Sequence, residues 1–124
     1  MMGYVKKSKL KSANSNAKLV FTTVTGTCAD LVADGKITDI TTGKVGPVLV
    51  SGLSTSDPLE KDVGKALSDN GSASGAVSWF VDSDNYKPKW AQWADSAGTD
   101  NQLVGQYPNP ETDPDNLHAI GTSF

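Results

Sequence analysis

Along the first 34 residues the apolar positions Leu10, Ala13, Ala17, Val20, Val24, Cys28 and Leu31 recur at intervals of three and four. On an α-helix that spacing gathers them into one stripe. Lys6, Lys7, Lys9, Lys11 and Lys18 fall mainly off the stripe. The stop signal is Asp34-Gly35-Lys36, with Gly35 suited to the left-handed residue that follows a helix end. A helix over residues 1–34 is about 50 Å long at 1.5 Å per residue. The rest of the chain, folded as one globule, is narrower than that, so the pattern predicts that the first half of the helix is not covered by its own head. Residues 21–27 argue the other way, because β-branched side chains and Gly26 lower helix propensity. A strand there is the competing reading.

Beyond residue 34 the period changes. Residues 35–56 show no clear repeat. Short apolar runs at 37–40 and 45–53 are broken by Gly43, Gly46, Pro47 and Gly52, which predicts a loop with one or two short strands. Asp57-Pro58-Leu59-Glu60 is a helix start, with Asp57 as cap, Pro58 at the first helical position and Glu60 placed to reach back. Leu59, Val63, Ala66 and Leu67 form its buried face, and Asn70-Gly71 ends it after about 12 residues. Residues 76–82 alternate as a strand, with Val77, Trp79 and Val81 on one face and Ala76, Ser78 and Phe80 on the other. Ser83-Asp84-Asn85 is turn chemistry. Residues 87–94 return as the partner strand, and residues 103–107 add a third. Pro108, Pro110 and Pro114 then forbid a ladder, so residues 109–124 read as irregular, tied down by Leu117, Ile120 and Phe124. The predicted fold class is α+β: a long N-terminal helix over residues 1–34 packed on a small antiparallel sheet within a globular head, residues 35–124.

Composition narrows the function. The chain has 124 residues, enough for one domain. No apolar run approaches the ~20 residues of a membrane-crossing helix. Residues 1–18 carry a local charge of +5 and the remainder −8, giving the net −3. Such asymmetry marks an interaction tail, for a polyanion or for a second copy's acidic head. Arginine is absent, which weakens the nucleic-acid reading. The acidic head would also repel a polyanion, so a solvated helix face or subunit contact is favoured for the lysines, and no specific nucleic acid is expected. Cys28 and His118 are the only residues of their kinds. They exclude an intrachain disulfide and the usual Cys/His zinc site. A Cys–His catalytic pair would need the two to meet.

The order of long helix, loop and antiparallel sheet is that of type IV pilins. The stretch MMGYVKKSKLKSANSNAKLVF resembles the segment just after the membrane-buried part of a type IV pilin-like protein, in its Met1-Met2, Tyr4, Lys6-Lys7 and Ala13-Asn14-Ser15-Asn16-Ala17. VSWFVDSDNYKPKWAQWADSAGTDNQLVGQYPNP is similar to the heads of pilin-like proteins from Gram-positive anaerobes, whose pilins often lack a disulfide-closed loop. The likeness covers residues 1–35 closely and 76–110 loosely. The family's leader cleavage site and glutamate-bearing apolar stretch have no counterpart in this sequence, so the resemblance implies a chain lacking its N-terminal apolar half-helix and monomeric in dilute solution.

What the resemblance implies is a structural subunit of a type IV pilus or pseudopilus. Its assembly helix would include Tyr4, Lys6, Lys7, Leu10, Ala13, Ala17, Val20 and Val24. Its partners would be other copies of itself and the pilus assembly machinery. Its place would be the cell surface or extracellular space, anchored in the membrane before assembly in the full-length form. No cofactor is implied.

The alternative is a pilin-like adhesin that binds polysaccharide. Trp79, Trp90, Trp93, Tyr86 and Tyr107 concentrate rings in the sheet region. Trp93, Tyr86 and Trp90 are the candidate glycan-stacking set, with Trp93 expected to face outward; the plainer reading is that the rings fill the core. Asp82, Asp84 and Asn85 place oxygens as a calcium loop does, without its glycine and bidentate glutamate, so a hairpin turn competes. Residues 112–116 are a weaker version of the same pattern. Asn70-Gly71-Ser72 matches a glycosylation acceptor but is first a helix-end turn. Glu60 and Asp62 read as the acid-rich first turn of a helix. The sequence offers no catalytic constellation, and an enzyme is not expected.

Overall fold

The computed structural model describes residues 2–53, 56–69, 75–94 and 104–107, with side chains from residue 10 onward except that of Ser51. Helix α1 spans Met2–Ala33, and a single 3-10 turn follows at Ile37–Asp39. Strand β1 is Gly43–Leu49, with a second 3-10 turn at Val50–Gly52. Helix α2 is Pro58–Asp69, and β2, β3 and β4 are Ala76–Val81, Pro88–Ala94 and Val104–Tyr107. The strands form one antiparallel sheet in the order β1-β2-β3-β4. The fold is α+β, a long N-terminal helix on a four-stranded antiparallel sheet, as the pattern predicts.

The helix continues through residues 21–27 despite their propensity. Thr25 Oγ1 donates to the Phe21 carbonyl at 2.8 Å and Thr27 Oγ1 to the Thr23 carbonyl at 2.9 Å, so these hydroxyls bond back to the preceding turn. Val20, Val24 and Cys28 are buried between them, and that tertiary burial outweighs the small propensity deficit. The end is a Schellman motif: Gly35 N–H donates to the Val32 carbonyl at 3.1 Å and Lys36 N–H to the Leu31 carbonyl at 2.8 Å, with Gly35 at φ +73°. Helix α2 starts as expected. The Asp57 carboxylate accepts from the N–H groups of Leu59 and Glu60 at 2.9 and 3.3 Å. Leu59, Val63 and Leu67 are buried, while Ala66 is only half-buried. The expected helix end at Asn70-Gly71 and the tail 109–124 lie outside the described residues.

One expectation fails. The first half of α1 is covered by its own head from Leu10 onward: Leu10, Ala13 and Ala17 are 2%, 2% and 0% exposed. The reason lies at the far edge of the sheet. Gly105 in β4 has no side chain, and a β-carbon there would overlap the Ala13 carbonyl. The helix backbone therefore rests directly on the strand backbone. Gln106 N–H donates to Asn14 Oδ1 at 3.0 Å beside this contact. α1 thus reaches across β2, β3 and β4.

Register sorts the sheet into two faces. Val77, Trp79, Val81 and Ala91 meet Val20, Val24, Cys28 and Leu31 of α1 and the apolar face of α2 in one core. On the opposite face Ala76, Ser78, Gln92, Ala94, Val104 and Gln106 are buried too. Ser78, Gln92 and Gln106 form a polar row across three strands, and Ser78 Oγ donates to the Val45 carbonyl at 2.8 Å.

Candidate assembly surface

The helix α1 is the element for which the resemblance to type IV pilins implies a role in assembly. Its stripe Leu10, Ala13, Ala17, Val20, Val24 faces its own sheet and is buried there, so these five residues cannot also be the surface that meets another copy. Burial of this stripe removes it from water once, inside the chain's own fold. The side chains of Tyr4, Lys6 and Lys7 lie outside the described residues. The helix backbone begins eight positions ahead of Leu10, about 12 Å at its normal rise.

The opposite side of α1 is open. Lys11, Ser12, Ser15, Lys18, Thr22, Gly26, Ala29, Asp30 and Ala33 are all exposed. Residues 19–29 carry no charge, so the middle of this outward face is small and neutral while its ends are charged with opposite signs. A solvated helix face ordinarily carries charged or polar residues along its length, and here polar Ser12, Ser15 and Thr22 share it with Gly26 and Ala29. The last turn of α1 holds no basic residue, and Asp30 and Asp34 lie exposed at the negative end of the helix dipole, an unfavourable placement. Lys18 Nζ lies 6.0 Å from the centroid of the Tyr107 ring, and Phe21 meets the same ring at 4.8 Å and 58°. These contacts seat α1 against β4.

The sheet aromatics do not form an exposed row. Trp93, expected to point outward, pairs with Val77 and packs against the helix-side core, half-buried. Parity along β3 does put Trp90 on the other face, but it is only 8% exposed and stacks on Phe80 at 6.1 Å and 26°. Tyr86, at φ +56° in the β2–β3 turn, is half-buried against the same core as Trp93. The candidate stacking set is therefore divided between two faces. Trp79 is fully buried, and its indole N–H finds no hydrogen-bond partner among the described residues.

The Asp82, Asp84, Asn85 run is the turn joining β2 to β3. Asp82 Oδ1 accepts from Asp84 N–H at 2.8 Å, and Asn85 Oδ1 accepts from Lys87 N–H at 3.1 Å. Asp82 Oδ2 lies 3.5 Å from Lys89 Nζ. The oxygens of Asp82 and Asn85 thus serve the turn and an ion pair. Among the described residues no group of three or more His, Cys, Asp or Glu could hold a metal ion. Cys28 is a free thiol in the core, and burial pushes its pKa from 9.0 up to about 11. His118 and Asn70-Gly71-Ser72 lie outside the described residues.

Two features that fix α1 on the sheet, Gly105 and the Asn14–Gln106 bond, are missing from the sequence reading. A glycine inside a predicted strand was the available signal for the first, since it marks close approach of another backbone. The second joins residues 92 positions apart and leaves no local trace. No protein-family model, curated protein or solved structure matches this chain.

Proposed function

We propose that this chain is a structural subunit of a type IV pilus- or pseudopilus-like filament at the bacterial cell surface, with no catalytic role. The contacts with neighbouring copies are assigned to the outward face of α1 and to the helical residues ahead of Leu10, because the inward stripe is already consumed. The observation that carries this reading is α1 itself: 32 residues long, laid on an antiparallel sheet, with a neutral outward face between Lys18 and Asp30. The resemblance of residues 1–35 to the post-membrane segment of pilin-like proteins supports it. The pilus assembly machinery follows as a partner. The polysaccharide-binding reading draws no support from Trp93, Tyr86 and Trp90, which are half-buried or buried.

The test joins this chain at Met1 to the apolar N-terminal half-helix of a filament-forming pilin and co-expresses it with that pilin's assembly machinery. Electron microscopy is expected to show filaments that bear this head. Arginine at Thr22 or Gly26 is expected to abolish them while circular dichroism of the same variants of the unfused chain stays unchanged. Absence of filaments, or filaments indifferent to both arginines, rejects the reading.

A further inference from the structure

We draw no further inference here: the strongest candidate, the small and neutral outward face of α1 between Lys18 and Asp30, belongs to the surface already described, and nothing else in the structure shows what covers it.

Discussion

Cys28 is 1% exposed and its thiol is held neutral by burial. Only thiolate reacts with disulfide reagents, so at pH 8 the folded chain is expected to be labelled no faster than it unfolds. The same burial gives stability a sign-definite pH dependence. Below pH 9 both states keep the proton, and this group contributes no slope. Between pH 9 and about 11 the unfolded chain releases the proton while the folded chain retains it. Stability then falls as pH rises, by roughly 1.4 kcal/mol per pH unit. Urea titrations of the native chain and of Cys28→Ala across that window isolate the effect, because the variant lacks it; equal slopes would refute it. Gly26 supplies a second residue-scale expectation. It sits exposed in mid-helix, without positive φ, and a β-carbon there would meet nothing within 4 Å. Gly26→Ala is therefore expected to stabilise the chain by about 0.5–1 kcal/mol, read from the urea midpoint.

At the scale of elements, the helices were legible because their signals are local. The three-and-four spacing of Leu10 to Leu31, the Gly35 stop and the Asp57-Pro58 start each act within a turn or two. β1 was not legible as one strand. A register shift between Val45 and Val48, around Gly46-Pro47, breaks its alternation. Trp93 was misplaced for a different reason. Alternation separates Trp90 from Trp93 but does not say which face meets the helix, and both faces of β2 and β3 are buried. The reach of α1 was misjudged because it depends on Gly105, far away in sequence. That dependence is testable. Gly105→Ala places a methyl group on the Ala13 carbonyl and is expected to cost about 1–3 kcal/mol or more. Protease cleavage near residues 11–18 should accelerate in this variant. A Gly105→Ala chain as stable and as resistant as the parent would show that α1 does not rest on β4.

At the scale of the molecule, α1, α2 and three strands share one core through Val20, Val24, Val45, Leu59, Val63, Val77, Trp79 and Ala91. Unfolding is accordingly expected to be a single cooperative transition. Helix loss followed by far-UV circular dichroism and the change at the fully buried Trp79, followed by fluorescence with Trp90 and Trp93 replaced by Phe, should share one midpoint. Separate midpoints would mean that helix and sheet fold independently, as a stalk joined to a head rather than one body.

The bond between Asn14 and Gln106 spans 92 positions. A chain made from its N-terminus presents Asn14 long before the strand that receives it. During synthesis the front of the helix therefore has no platform until β4 has been made. Its docking on β4 cannot precede synthesis of residue 106, and a chain released short of that point leaves the segment without its seat.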